Sequence, residues 1–267
     1  MNNVDYIRSL DLQVIDLDGL PFSYRGGTSD EVVAEEIFTN GKYVLALPED
    51  FQPKVIIDCG SNIGYSTLFF ANRYPDAQVY SVEPDKNNFK FLQYNTIFYD
   101  NIHVINSALW DKETFVRLET TELGESGYMA VETGEADPNA FKTTTLSKIV
   151  ADNSIEQIDF IKIDIEGSEK EVFSAPDVDE WLSKVKVLAI VLHDELRSGA
   201  SYEFFKAISK YRWQFSPHGK VMLFIREEEN QNDQQNENPE NQENAPQEEN
   251  QNQENYNQEN HYEENHY

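Results

Sequence analysis

The residues best suited to chemistry are a glycine turn and the carboxylate that follows the next apolar run. The turn, DCGSNIG (58–64), comes directly after the apolar residues VII. Gly60 and Gly64 permit backbone conformations and close approaches that a Cβ would block. Glu83 lies nineteen residues beyond Gly64, where a carboxylate can accept hydrogen bonds from both ribose hydroxyls. The pattern predicts a nucleoside-cofactor site.

The spacing of this turn favours one class of nucleoside cofactor over another. A dinucleotide site prefers G-x-G-x-x-G, which turns a helix N-terminus towards a pyrophosphate. Here the spacing is G-x-N-x-G, and Asp58 precedes the first glycine by two residues. A negative charge suits a cationic sulfonium and its α-amino group better than a pyrophosphate. We therefore predict S-adenosylmethionine over a dinucleotide. Ser61 and Asn62 of the turn, and Pro84 next to Glu83, complete the predicted contacts.

Small and charged residues also follow the later apolar runs. Ser107 and Ala108 follow IHVIN, where they could meet an adenine ring, or simply end a strand. Lys162, Asp164 and Glu166 alternate at the end of IDFIKIDIEG, so a strand places them on one side. Such charges are unfavourable on a buried strand unless they form ion pairs or take part in a functional site. A structural ion pair of the lysine with a carboxylate is the alternative to a catalytic role.

A third polar group follows the apolar run VKVLAIVL. His193, Asp194 and Glu195 lie directly after it. A histidine in this position is often only a rim residue that satisfies its own hydrogen bonds. Ligands of open parallel sheets bind at the carboxyl ends of the strands, where these residues would lie. This placement favours a role in the site.

Apolar strands alternate with helical periods from about residue 54 to 226. Alternation of this kind predicts an α/β fold, a Rossmann-like doubly wound sheet of about seven mostly parallel strands. A closing hairpin in RWQFSPHGKVMLFIRE adds an antiparallel C-terminal strand. The predicted strands are 54–59, 77–83, 102–109, 158–165 and 185–193, and the predicted helices are 64–74, 86–100, 144–152 and 202–211.

Two segments interrupt or precede this alternation. The stretch 120–140 is rich in Gly, Thr and Glu with little period, so we expect a long loop, and loops of this length are often functional lids. The segment 28–38 begins with a capping box of Thr28 and Glu31 and predicts a helix laid across the open end of the sheet. We divide the chain into an N-terminal segment (1–50), a catalytic domain (51–226) and a tail (227–267).

The tail differs in kind from the rest of the chain. It is mostly Asn, Gln and Glu, has no Lys or Arg, and holds 13 of the 49 acidic residues. With few aliphatic side chains to bury, it is expected to be disordered. Either it is a solubilising spacer, or it binds a protein partner.

Charge and composition exclude several classes of partner. The net charge is −28, and residues 1–226 alone carry 36 acidic against 21 basic residues. This balance argues against binding nucleic acid or an anionic membrane. The first twenty residues lack the apolar core of a secretory signal, and no apolar run is long enough to span a bilayer. With Cys59 as the single cysteine, we expect a cytoplasmic protein.

Four stretches together resemble the FkbM-type methyltransferases, a branch of the class I S-adenosylmethionine-dependent enzymes. They are VIIDCGSNIGYSTLFFA, VYSVEPDKNNFKFLQYN, HVINSALWD and IDFIKIDIEGSEKEVF, and the resemblance runs from about 25 to 226. It implies O-methylation of sugar hydroxyls in glycans or natural products. The implied roles are the methionine end of the cofactor for Asp58, Gly60, Asn62 and Gly64, ribose for Glu83, adenine for Ser107 and Ala108, and the reaction centre for Asp164 and Glu166.

The implied reaction is in-line displacement of methyl from a sulfonium by a hydroxyl oxygen. The protein must align the reacting atoms and help remove a proton. His193 is our first choice of general base because its ordinary pKa of about 6.5 suits that work, and Asp164 is the second. Lys162 and Glu166 complete the catalytic set. A magnesium ion held by Asp164, Glu166 and Asp194 is possible but not favoured. The alternatives are a nicotinamide-dependent oxidoreductase and a non-catalytic binding protein.

Overall fold

The computed structural model describes residues 12–17, 20–121 and 124–227. The strands in these ranges are β1 (Leu12–Leu17), β2 (Leu20–Arg25), β3 (Val55–Cys59), β4 (Gln78–Val82), β5 (Ile102–Ile105), β6 (Ala108–Leu109), β7 (Phe115–Thr121), β8 (Gly124–Thr133), β9 (Phe141–Thr144), β10 (Ile158–Ile163), β11 (Val185–Ile190), β12 (Trp213–His218) and β13 (Val221–Arg226). The helices are α1 (Ser29–Ala34), α2 (Tyr65–Arg73), α3 (Lys86–Asn95), α4 (Leu146–Asp152), α5 (Glu169–Ser174), α6 (Val178–Leu182) and α7 (Ala200–Ile208).

The central sheet confirms the predicted α/β architecture. Its seven strands have the order β12-β13-β11-β10-β3-β4-β5. The neighbours from β11 to β5 pair in parallel, and β13 runs antiparallel to both β11 and β12. Strand order reverses between β3 and β10, so the carboxyl ends of these two strands flank a crevice of the kind that binds ligands.

Helices cover both faces of this sheet because its apolar strands point side chains to both sides. On one face Ile57, Ile161 and Leu188 pack in a cluster with residues of α4, α5, α6 and α7. On the other face Ile56 and Phe160 pack in a second cluster with α2 and α3 and with residues of the N-terminal segment. Because these strands are buried on both faces, their sequences are continuous apolar runs and not alternating ones.

The stretch 120–140 is not a long loop, so that prediction was wrong. Strand β7 and strand β8 form an antiparallel hairpin that pairs with β9, and β6 completes a second sheet of order β6-β9-β7-β8. Few apolar residues alternate in this stretch, and its ladder depends on backbone hydrogen bonds that any sequence can form. The sequence pattern therefore did not reveal these strands.

The N-terminal segment packs against the core. Thr28 is the N-cap of α1, as predicted. Its hydroxyl accepts a hydrogen bond from the backbone N–H of Asp30 at 3.2 Å, and the Glu31 carboxylate accepts one from Gly27 N at 3.1 Å. A π-helical turn, Glu35–Thr39, follows α1. Beyond it, Tyr43 is buried in the second cluster.

The predicted disordered tail falls almost wholly outside the described residues, which end at 227. Among the residues that are described, no helix combines the length and the apolar character needed to span a bilayer.

Candidate active site

A cavity of about 810 Å³ lies at the carboxyl ends of β3, β4 and β10. Its volume is in the range of small-molecule sites. Walls come from the glycine turn, the N-terminal segment, the second sheet and the turn between β12 and β13. Most of the predicted site residues line it: Gly60, Ser61, Asn62, Glu83, Pro84, Ser107, Ala108, Lys162, Asp164, Glu166 and His193. Asp58 and Gly64 are not among the lining residues.

The two glycines of the turn have different tasks. Gly60 adopts φ +82°, and a Cβ there would lie 1.9 Å from the carbonyl oxygen of Asp164. The close approach joins the end of β3 to the end of β10. Gly64 adopts φ +105° at the start of α2, where a Cβ would approach Leu92 Cδ1 to 3.0 Å. Gly64 therefore allows α2 to pack closely against α3, and it does not line the cavity.

Asp58 is a buried structural anion, which corrects its predicted role as a cofactor contact. Its side chain is fully buried. Ser66 and Thr67 both donate to its Oδ2 at 2.7 Å, and Lys162 Nζ lies 3.0 Å from its Oδ1. The two residues of the pair are register neighbours on the parallel strands β3 and β10. The charge is thus neutralised inside the protein and does not face a ligand.

Lys162 holds the glycine turn, which corrects its predicted catalytic role and confirms the alternative of an ion pair. Besides the contact with Asp58, its Nζ donates to Cys59 O at 3.1 Å and Gly60 O at 2.7 Å. The ammonium group therefore donates to two carbonyl oxygens of the turn and forms an ion pair with the Asp58 carboxylate. Burial acts to lower the pKa of Lys162, but the charges of Asp58 and Asp164 outweigh it and raise the pKa above its ordinary value. A lysine so paired is a poor proton acceptor.

Glu83 lies at the rim of the cavity as predicted and also orders the turn. It is buried, and its carboxylate accepts from the backbone N–H of Asn62 and of Asp85, both at 2.9 Å. Burial raises the pKa of Glu83 to about 7, although these hydrogen bonds act in the opposite direction. Oε1 also accepts from Asn88 Nδ2 at 3.5 Å, so Oε2 is the oxygen that retains a lone pair for another donor.

The second sheet forms the wall beyond Glu83. Ser107 is buried, and its hydroxyl donates to Lys142 O in β9 at 2.9 Å. This bond anchors the second sheet beside Ala108, and Val116, Ala130 and Phe141 line the cavity from that side. The result is a largely apolar wall that suits a flat ring.

Asp164 is held by two residues that the sequence analysis missed. Lys42 Nζ lies 3.2 Å from its Oδ2, and Tyr43 donates its hydroxyl to the same oxygen at 3.3 Å. Burial acts to raise the pKa of Asp164, but the positive charges of Lys162, Lys42 and His193 outweigh it and hold the pKa below its ordinary value. The carboxylate is therefore ionised at neutral pH.

His193 lies between two carboxylates. Its Nδ1 is 2.8 Å from Glu169 Oε1 and its Nε2 is 3.6 Å from Asp164 Oδ1. Burial acts to lower the pKa of His193, but the hydrogen bond to Glu169 and the charges of Glu169, Asp164 and Glu195 outweigh it and raise the pKa. Glu169 was missed as a site residue although it belongs to the quoted stretch EGSE. It contacts His193 from behind and does not line the cavity.

The remaining predicted carboxylates are arranged differently from each other. Glu166 lines the cavity, is exposed, and has φ +51° in the turn after β10. Asp194 instead accepts from Gly199 N at 3.1 Å and Ser201 N at 2.9 Å. It thus caps the start of α7 and does not line the cavity. In the ranges 12–17, 20–121 and 124–227, no group of three His, Cys, Asp or Glu side chains is arranged to hold a metal.

Comparison with known proteins gives the family. The sequence profile of the methyltransferase FkbM domain matches residues 58–233. Methyltransferase sdnD of Sordaria araneosa is 25% identical over 203 residues, which cover 63% of this chain and 77% of that protein. The AMB antimetabolite synthetase AmbE of Pseudomonas aeruginosa is 26% identical over 212 residues, 64% of this chain but only 10% of AmbE.

A solved methyltransferase structure was also compared with this chain. The precorrin-6y C5,15-methyltransferase of Geobacter metallireducens superposes with a TM-score of 0.42 at 14% identity, covering 80% of this chain and 97% of that one. This similarity is too remote to transfer any residue role. The profile match is different, because it extends over more than half of the chain and includes the glycine turn, Glu83 and the segment from Asp164 to His193. This chain belongs to the FkbM methyltransferase family.

Proposed function

We propose that the chain is an S-adenosylmethionine-dependent O-methyltransferase whose acceptor is a sugar hydroxyl of a glycan or of a glycosylated small molecule. The family supports methyl transfer. The observation that supports oxygen as the acceptor is that His193 and Asp164 both line the cavity, at the carboxyl ends of the neighbouring strands β11 and β10. A basic nitrogen there can remove a proton from a hydroxyl.

The residues present fit the cofactor. Glu83 offers a carboxylate lone pair to a ribose hydroxyl, and the wall beside Ser107 and Ala108 suits adenine. Asn62 lines the cavity, and its Oδ1 is buried without a hydrogen-bond partner among the described residues. Such an oxygen is unfavourable unless a donor reaches it, and the cofactor's α-amino group is a suitable donor. When bound, the cofactor supplies a methyl group on a positively charged sulfur.

The chain's own residues orient the acceptor and remove its proton. His193 Nε2 accepts the hydroxyl proton as the oxygen becomes bonded to carbon. The carboxylate of Asp164 then faces the imidazolium and stabilises its charge. Lys42 and Tyr43 hold that carboxylate in place. They belong to the N-terminal segment, which forms one wall of the cavity.

The experiment is transfer of a labelled methyl group. The full chain is incubated with methyl-labelled S-adenosylmethionine and a panel of glycosides, and products are analysed by mass spectrometry. We expect the mass of one added methyl group on oxygen, lost in His193→Gln. His103→Gln is the matched control, because His103 is exposed, hydrogen-bonds Gln78, stacks on Tyr80 and does not line the cavity. Methylation of nitrogen or carbon, or activity unchanged in His193→Gln, would contradict the proposal.

The alternatives predict different results. A nicotinamide-dependent oxidoreductase would be stabilised against heating by NAD and not by S-adenosylhomocysteine, and membership of a methyltransferase family disfavours it. A non-catalytic protein that recruits a partner through its tail would keep its biological effect in Asp164→Ala and lose it when residues 227–267 are deleted. We expect the opposite outcome for both variants.

A further inference from the structure

We propose that Glu169 is a positioning residue that holds His193 in the tautomer with its proton on Nδ1, so that Nε2 is free to accept a proton in the cavity. The inference rests on the proposed function only for its effect on catalysis. Glu169 was assigned no role by the sequence pattern.

The carboxylate of Glu169 is fixed by the turn that follows β10. It is fully buried. Its Oε1 accepts from Ile165 N at 3.2 Å and its Oε2 accepts from Gly167 N at 2.8 Å. Backbone N–H groups can only donate, so they orient the carboxylate as an acceptor. Its Oε1 is then directed at His193 Nδ1, 2.8 Å away.

This contact decides which ring nitrogen carries the proton. A carboxylate oxygen that accepts from an N–H can bond Nδ1 only if Nδ1 is protonated. A neutral imidazole has one N–H, so Nε2 then has a free lone pair. The distance from Nε2 to Asp164 Oδ1 is 3.6 Å, too long for a hydrogen bond. Asp164 therefore does not use this lone pair.

Charges on three sides favour the imidazolium once the proton has been taken. Glu169 faces His193 from α5, Asp164 from the end of β10, and Glu195 from the loop of His193 itself. Lys42 lies on the far side of Asp164 and offsets part of its charge. The arrangement of a buried carboxylate, an imidazole and an open acceptor position resembles the logic of a triad in which the acid orients the base.

The first test is spectroscopic and needs no acceptor. Long-range proton–nitrogen NMR of the full chain distinguishes a protonated from an unprotonated ring nitrogen of His193 across a pH titration. We expect neutral His193 to have a protonated Nδ1 and an unprotonated Nε2. The reverse tautomer, or an equal mixture of the two, would overturn the inference. Because methyl transfer is not measured, this result is independent of the proposed function.

The second test compares Glu169→Gln with a matched control. Asp159→Asn removes another largely buried carboxylate that accepts two backbone N–H bonds, from Lys54 and Val55, at the opposite end of β10. In Glu169→Gln we expect a lower His193 pKa, a mixed tautomer and a kcat lower by about 10²-fold, with S-adenosylhomocysteine affinity within about 2-fold of wild type. Asp159→Asn should leave the His193 signals unchanged.

A merely structural role for Glu169 gives a different pattern. Glutamine retains an oxygen for the turn, so a structural role would change the melting temperature and leave the pKa and tautomer of His193 as in wild type. That outcome would overturn the inference. If Glu169→Gln does not fold, the wild-type spectrum still decides the question. A wild-type chain with the expected tautomer but no methyl transfer would refute the proposed function alone.

Discussion

Replacing Lys162 by Met should destabilise the fold far more than it disturbs any chemical step. The substitution removes the partner of Asp58 while it keeps most of the apolar side chain. Asp58 then retains two hydroxyl donors and no cation, in a site where both side chains are at most 3% exposed. Gly60 O and Cys59 O also each lose the lysine as a donor, although Cys59 O keeps the backbone N–H of Asp164 at 3.1 Å.

The expected magnitude follows from this burial. Breaking a buried pair by removing one partner destabilises a protein by about 3–5 kcal/mol, because it leaves an uncompensated buried charge. That is a large part of the roughly 5–15 kcal/mol that holds an ordinary domain folded. In the double variant Asp58→Asn with Lys162→Met, no charge is left buried. We expect it to recover about 1–3 kcal/mol of the loss.

Urea unfolding of the wild type and the variants measures these free energies. Lys148→Met is the control, since Lys148 and Asp152 also approach to 3.0 Å but both are exposed. We expect its unfolding free energy to match that of the wild type within error. The account is refuted if Lys162→Met unfolds like the wild type but transfers no methyl group. Such a result would indicate that Lys162 has a catalytic role.

The remaining predictions concern the glycine turn and Glu83. Gly60→Ala should destabilise by about 2–5 kcal/mol, from the left-handed backbone and the overlap with Asp164 O, and should abolish cofactor binding. Gly27→Ala is the control, because Gly27 also has a left-handed backbone, φ +69°, but no atom lies near its Cβ position. If both variants lost the same unfolding free energy in urea, the close approach of Gly60 to Asp164 O would not be the cause. The pKa of Glu83 is raised from 4.5 to about 7 in the folded protein, so its stabilising contribution is fully present below pH 4.5 and is lost as the pH rises from there to about 7. Glu83→Gln should flatten the stability profile over this range. Ribose hydroxyls favour the ionised form, so calorimetry should show S-adenosylhomocysteine affinity falling about tenfold per pH unit below 7, a dependence absent from Glu83→Gln.

The sheet, the glycine turn and Glu83 could be predicted because their signals are local. Apolar runs that end at small or acidic residues fix the strands and place the next side chains at one edge. The role of Asp58 could not be settled in the same way. Whether its side chain faces a ligand or the neighbouring strand depends on the register of β3 against β10, which pairs Asp58 with Lys162 across more than a hundred residues of sequence.

The site residues that the sequence analysis missed were missed for two reasons. Some reach the site only through long-range packing, and one has a more common explanation for its place in the sequence. Lys42 and Tyr43 reach Asp164 only because the N-terminal segment folds onto the sheet, 122 and 121 residues away in sequence. Glu169 is an acid in the first turn of a helix, where acids are common for their interaction with the helix dipole. Its contact with His193 requires the end of β11 to lie beside α5, which no spacing in the sequence reveals.

The central claim is that the cavity above the glycine turn binds the nucleoside of a methyl donor. Calorimetric titration of the full chain with S-adenosylhomocysteine, and separately with NAD, tests it most directly. We predict saturable binding of S-adenosylhomocysteine at one site per chain and no saturable heat with NAD. Saturable binding of NAD without binding of S-adenosylhomocysteine would contradict the account.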